Sequence, residues 1–140
     1  MRLRPMLLGL ATVTLALSAC SSANTEISSS EDALVVYSGR SEELVGPLIQ
    51  QFEDTAGTPV EVRYGDTAEL AAQLLEEGED TPADVFFSQD AGALQVIQDE
   101  GRTTALPQDV IKAVPAKFRS AQGQWVGTSG RARVMVYNTD

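Results

Sequence analysis

Ala33-Leu34-Val35-Val36-Tyr37-Ser38-Gly39-Arg40-Ser41-Glu42-Glu43-Leu44-Val45 changes its periodicity midway, and that change decides the fold. Ala33 to Tyr37 is a short apolar run, as suits a strand covered on both faces. Ser38-Gly39-Arg40-Ser41 is a polar turn. Beyond it Leu44, Val45, Leu48, Ile49 and Phe52 fall on one helical stripe, which stops at Gly57. Pro47 lies early in this helix and is expected to bend or delay its first turn. The same unit returns twice. Val60 to Tyr64 reads as a strand, Asp66 and Glu69 resemble a capping box, and Leu70, Ala71, Leu74 and Leu75 form a stripe ending at Gly78. Val85-Phe86-Phe87 reads as a third strand, then Ser88-Gln89-Asp90 leads to a helix bearing Leu94, Val96 and Ile97 and stopping at Gly101. Strands alternating with helices at this spacing demand right-handed crossovers, hence an α/β fold of three layers: a parallel sheet with helices on both faces.

Downstream the pattern loosens. Pro107 and Pro115 limit any helix in Gln108 to Phe118 to a turn or two. Trp125 to Ser129 and Arg131 to Tyr137 read as one long strand interrupted at Gly130, followed by a turn at Asn138-Thr139-Asp140. Tyr37, Tyr64 and Tyr137 lie near strand ends and read as packing residues.

Upstream, Arg2 and Arg4 make a basic tip, Met6 to Leu17 is apolar, and small residues precede Cys20. These are the parts of an export signal over residues 1–19, too short in its apolar run to span a bilayer as a helix. Leu17-Ser18-Ala19-Cys20 resembles a bacterial lipobox, which implies a lipid-modified Cys20 and membrane lipid as a partner. The plainer alternative is a secreted protein with a free thiol. Residues 20–32 are Ser-rich and polar, as expected of a tether.

From Cys20 onward the chain carries 8 bases against all 20 acids, so its formal charge there is −12. A surface of that sign repels phosphate backbones and argues against nucleic acid as a partner. The single cysteine precludes an internal disulfide. There is no histidine, which removes Ser-His-Asp and Cys-His machinery, imidazole bases and most zinc sites. The adjacent acids Glu42-Glu43, Glu76-Glu77 and Asp99-Glu100 fall on helices, where solvated faces explain them. Catalysis is not expected.

Ligands of open parallel sheets sit beyond the carboxyl ends of the strands, where helix N-termini point N–H groups outward. That rule singles out Ser38-Gly39-Arg40-Ser41, Gly65-Asp66-Thr67 and Ser88-Gln89-Asp90. Ser41, Asp66 and Asp90 also serve as ordinary N-caps. Arg40 and Gln89 are not needed as caps and so favour a site, Arg40 as a bidentate grip on an oxyanion. Ser129-Gly130-Arg131 repeats the Ser-Gly-Arg order. It reads either as the rim of a cleft or as one solvated strand face shared by Arg131 and Arg133.

Three stretches carry a resemblance: Val35 to Arg40, Thr81-Pro82-Ala83-Asp84-Val85-Phe86-Phe87-Ser88-Gln89-Asp90, and Trp125-Val126-Gly127-Thr128-Ser129-Gly130-Arg131-Ala132-Arg133-Val134. Together they resemble the ferric-iron-binding extracellular solute-binding proteins of ABC importers. The resemblance implies a type II periplasmic-binding fold, with most of its first lobe in residues 33–130 and a strand crossing to a second lobe in 131–140. It also implies ferric iron as cargo, carbonate as a companion anion, an ABC permease as partner, and a location at the outer face of the cell membrane or in the periplasm. Where some members place an iron-binding histidine this chain has Ser41, and where they place a glutamate ligand it has Gln89. The family's paired tyrosine ligands would fall beyond Asp140. The resemblance assigns Ser38, Gly39, Arg40 and Ser41 to the anion and places Gln89, Asp90, Ser129, Gly130 and Arg131 along the cleft. Another small anion or organic solute as cargo, or a lipoprotein fragment without binding activity, remain alternatives.

Overall fold

A computed structural model describes residues 32–132 and 134–140. The export signal, Cys20, the tether up to residue 31 and Arg133 lie outside the described residues. The strands β1 (Leu34–Ser38), β2 (Val60–Tyr64) and β3 (Val85–Phe87) form a parallel sheet in the order β2-β1-β3. Helices α1 (Glu42–Ala56), α2 (Thr67–Glu77) and α3 (Ala91–Asp99) follow the strands in turn, and α4 (Gln108–Ala113) comes last. Pro107 and Pro115 confine α4 to six residues, with a short 3-10 turn at Ala116–Phe118 after it.

Chain direction reverses across the sheet between the first and second crossovers. With right-handed connections, α1 and α2 therefore lie on opposite faces. The burial pattern agrees. Tyr37, 1% exposed, packs with Leu70, Ala71 and Leu74 of α2 and Ile97 of α3, joined by Val35 and Phe86. Val36, the intervening residue of β1, is buried outside that cluster, on the α1 side with the buried Val45. The first three helices end at or next to a glycine of positive φ: Gly57 adopts φ 68°, and its N–H donates to the Glu53 carbonyl. The helix runs unbroken through Pro47, its sixth residue.

Asp84 explains why β3 starts where it does. Its N–H donates to the Val35 carbonyl at 2.9 Å, and its carboxylate accepts from the Val35 N–H at 2.9 Å. One residue thus satisfies both backbone groups of Val35 and sets Val36 opposite Val85.

Three expectations need correction. The α1 stripe is split: Val45 is buried, whereas Leu44, Leu48 and Phe52 are 62%, 61% and 44% exposed. The stripe is wider than the sheet it packs on, so its outer flank faces solvent. Among the described residues of the segment from 125 to 137 there is no strand; Val126 makes an isolated antiparallel bridge, to Arg119. A strand exists through its ladder, and none of the described strands pairs with this segment. Tyr137 accordingly lies outside the buried core, 80% exposed.

Candidate functional site

Ser38, the last residue of β1, stands opposite Tyr64 on one side and Phe87 on the other. All three strands therefore end level, and the three turns emerge at one edge. In the order β2-β1-β3 the crevice opens between β1 and β3, whose following helices leave toward opposite faces. The β1 and β3 turns flank that switch point.

The two turns share a construction. In the first, the Ser38 hydroxyl donates to the Arg40 carbonyl at 2.9 Å and accepts from the Arg40 N–H at 3.2 Å. In the second, Ser88 does the same with the carbonyl and N–H of Asp90, at 2.8 and 3.2 Å. In both turns the serine hydroxyl bonds the backbone two residues on as the chain swings from strand to helix. Ser38 has no exposed surface. Its hydroxyl is engaged within the turn, which gives Ser38 a structural role.

The turns are stitched to one another. The Gln89 side-chain amide donates to the Gly39 carbonyl at 2.5 Å, and the Gln89 N–H donates to the Thr67 hydroxyl at 3.3 Å. Gly39 donates its own N–H to the Phe87 carbonyl at 2.9 Å, and Gly65 donates to the Ser38 carbonyl at 3.1 Å. Glycine is required at 39 for closeness: a Cβ there would stand 2.0 Å from the Thr67 hydroxyl oxygen. Thr67 lies in the Gly65-Asp66-Thr67 turn that the sequence singles out, although its residue type alone does not mark it as a site residue; its closeness to Gly39 and Gln89 is what the fold adds.

Charge at this edge is distributed unevenly. Asp66 caps α2, accepting from the N–H groups of Ala68 at 2.8 Å and Glu69 at 3.4 Å. Asp90 caps α3, accepting from Ala93 at 3.0 Å. Each carboxylate thus serves a helix terminus through one of its oxygens. Ser41 stands at the N-cap of α1 but makes no side-chain cap bond, so α1 alone of the three starts without one. Beside it, the Arg40 side chain is half-buried and its Nε, fully enclosed, has no hydrogen-bond partner among the described residues. At the end of β2, burial together with the Glu42 carboxylate raises the Tyr64 phenol above its ordinary pKa of 10.0. This edge offers a cation and a free helix terminus; no cluster of acidic or sulfur side chains fit for a metal occurs among the described residues.

A cavity of about 760 Å³ continues from the edge between α2 and α3, lined by Asp66, Thr67, Gln89, Asp90 and Arg131 above Ala71 and Val96. Arg131 thus lines the same cavity as Gln89 and Asp90. Ser129 and Gly130 do not line it; both are exposed, and a Cβ at Gly130 would meet nothing within 4 Å. The expected close approach at that glycine is absent.

Comparison with known proteins fits this geometry. The family model described as bacterial extracellular solute-binding protein matches residues 33–125. The Fe(3+)-binding periplasmic protein of Serratia marcescens is 30% identical over 113 residues, 81% of this chain and 33% of that protein. Iron-bound HitA from Pseudomonas aeruginosa matches with a TM-score of 0.67 at 27% identity, over 68% of this chain and 31% of its own. The Trichodesmium protein IdiA (FutA), solved with iron and citrate, matches with a TM-score of 0.63 at 30% identity, over 68% of this chain and 30% of its own. The chain spans about a third of the length of the curated relatives it matches.

Proposed function

The chain belongs to the bacterial extracellular solute-binding proteins, and from that premise we propose that it is the N-terminal part of a two-lobed protein that captures ferric iron with a small anion. Residues 33–130 form most of the first lobe, 131–140 cross toward the second, and the edge around Arg40 holds the anion. The observation that carries this reading is the pairing of an unpartnered, enclosed Arg40 Nε with the uncapped start of α1. A small carboxylate or carbonate would satisfy both, taking hydrogen bonds from the guanidinium and charge complement from the helix terminus. The Trichodesmium neighbour's iron and citrate support an anion alongside the metal.

Ferric iron is a hard cation and needs anionic oxygen donors. Asp66 and Asp90 serve as helix caps and no acidic cluster fit for a metal occurs among the described residues, so the metal's protein ligands come from the second lobe and the anion bridges the two. Cys20 carries lipid, residues 20–32 tether the lobe, and the loaded protein delivers its cargo to an ABC permease at the outer face of the cell membrane. No catalytic role is assigned. Adding ferric iron and bicarbonate to the two-lobed protein should develop a visible phenolate-to-iron absorption band, abolished when bicarbonate is withheld or Arg40 is replaced by alanine. No band with both present would refute iron capture. Cys20→Ala should move the protein from the membrane to the soluble fraction.

A second reading has one observation in its favour. Gln89 uses its amide to hold Gly39 and brings no negative charge to a metal. The same edge therefore suits a small organic anion carried without iron. Stabilisation in a thermal-shift assay by such an anion alone, with no further gain from iron, would favour it.

A further inference from the structure

One carboxylate gathers every element of the sheet. Glu77, in the last turn of α2, accepts from the Tyr37 hydroxyl at 3.0 and 3.1 Å, from the Gln73 amide at 2.5 Å and from the Thr81 hydroxyl at 2.7 Å. Arg63 of β2 stands 3.8 Å from it and donates to the Tyr37 oxygen at 3.1 Å, with its guanidinium over the Tyr37 ring. Thr81 in turn accepts from the Ala83 N–H, on the approach to β3. Tyr37 belongs to β1 and immediately precedes the Ser38 turn.

At its opposite end, α2 begins with Thr67, the residue that touches Gly39 and receives the Gln89 N–H. Between the two ends the helix rests on Leu70, Ala71 and Leu74. Apolar contact is non-directional, so it fixes how deep the helix lies but resists sliding along its axis weakly. Hydrogen bonds weaken steeply with distance and angle, so they fix the axial position. Thr67 is held at its own end by the short link from β2, where the Gly65 N–H donates to the Ser38 carbonyl, and along the helix axis by whatever holds the far end of α2, about 15 Å away.

We propose that Glu77 is a positioning residue for the cargo edge, its carboxylate holding Tyr37, Gln73 and Thr81 together so that α2 places Thr67 against Gly39 and Gln89. The role in cargo binding rests on the function proposed above; the role in placing Thr67 does not. The groups facing the carboxylate are Tyr37 from β1, Arg63 from β2, Gln73 from α2 itself and Thr81 from the segment before β3. All four present donors, so only an acceptor with two free oxygens satisfies them. Glu77→Gln turns one oxygen into a donor that opposes another donor.

The test compares the wild-type chain with Glu77→Gln and the milder Thr81→Val by amide-resolved NMR, reading hydrogen exchange at Gln89 against exchange within the β1–β2 ladder. Bicarbonate is then titrated into each. The expected result for Glu77→Gln is an intact ladder with Gln89 exchange faster by about tenfold, as loss of one net hydrogen bond predicts, and bicarbonate binding weakened to a similar degree. Acidifying the wild type until Glu77 protonates should reproduce the signature, while Glu77→Gln should show no such step. If Glu77→Gln fails to fold, Thr81→Val and the acid titration of the wild type carry the same reading. A Gln89 exchange rate that follows the ladder in every sample would overturn the proposal. Selective Gln89 loosening with no bicarbonate binding to any variant would uphold the positioning role and sink the cargo reading instead.

Discussion

The side-chain amide of Gln89 donates to the backbone carbonyl of Gly39, 2.5 Å away and fifty positions earlier in the chain. This bond ties the β3 turn to the β1 turn across the crevice between them. It also fixes which charge position 89 tolerates. Gln89→Glu would press a carboxylate against a carbonyl oxygen, exchanging a bond for a repulsion. A loss of about 1–3 kcal/mol at neutral pH is expected from chemical denaturation. Part of it should return in acid, where the carboxyl regains a proton to donate.

Gly39→Ala should cost about 1–3 kcal/mol by overpacking, because the new methyl collides with the Thr67 hydroxyl. Thr67→Ala in the same chain should recover part of that cost. A double-mutant cycle showing no coupling between positions 39 and 67 would mean that the contact relaxes elsewhere.

Arg40 separates binding from stability. Without anion, its enclosed Nε has no partner among the described residues, so Arg40→Ala should change unfolding free energy by no more than about 0.5 kcal/mol. Bicarbonate affinity should fall by about tenfold or more, as loss of a charge-assisted hydrogen bond implies. Arg40→Lys should recover charge but not the forked geometry, leaving affinity between the two.

Asp84→Ala removes the side-chain acceptor for the Val35 N–H. Denaturation should show a loss of about 1 kcal/mol, the net worth of one such bond. Asp84→Asn should recover most of it, since an amide oxygen still accepts.

Acid should weaken the fold through Glu77. Burial alone would raise its pKa, but hydrogen bonds from Thr81, Gln73 and Tyr37 and the Arg63 charge together hold it below its ordinary 4.5. Its stabilisation is therefore complete above about 4.5 and is lost as pH falls through the lower folded value. Tyr37 is shifted the other way, raised above 10.0 by burial and by the Glu77 carboxylate. Its contribution declines as pH climbs past 10.0 toward the folded value. Stability measured against pH should lose the Glu77 share of its acid step in Glu77→Gln and the Tyr37 share of its alkaline step in Tyr37→Phe, the Tyr64 share remaining.

The strands, the helices and the glycines that end them were legible because each rests on local pattern: apolar runs of five or so, stripes of period 3.6, then a residue free to take positive φ. The meeting of Arg40, Gln89 and Asp66 at one edge followed from the parallel crossovers. What was illegible depended on neighbours. A stripe shows that α1 has an apolar face but not how much of it the sheet covers, so Leu44, Leu48 and Phe52 read as core. The Ser38 hydroxyl suits a ligand and its own turn equally by residue type, and only the fold shows it engaged within the turn. Glu77 sits beside Glu76 and looked like part of a solvated pair, although Tyr37, forty positions away, reaches it. The residues from 125 to 137 have strand composition, but a ladder needs a partner, and composition does not supply one.

Bicarbonate titrated into the 140-residue chain, with backbone amides followed by NMR, decides whether the Arg40 turn is an anion cradle. Saturable shifts should concentrate at Gly39, Arg40, Ser41 and Glu42 and disappear in Arg40→Ala. Shifts confined to the basic segment around Lys112 and Lys117, or none at millimolar bicarbonate, would contradict it.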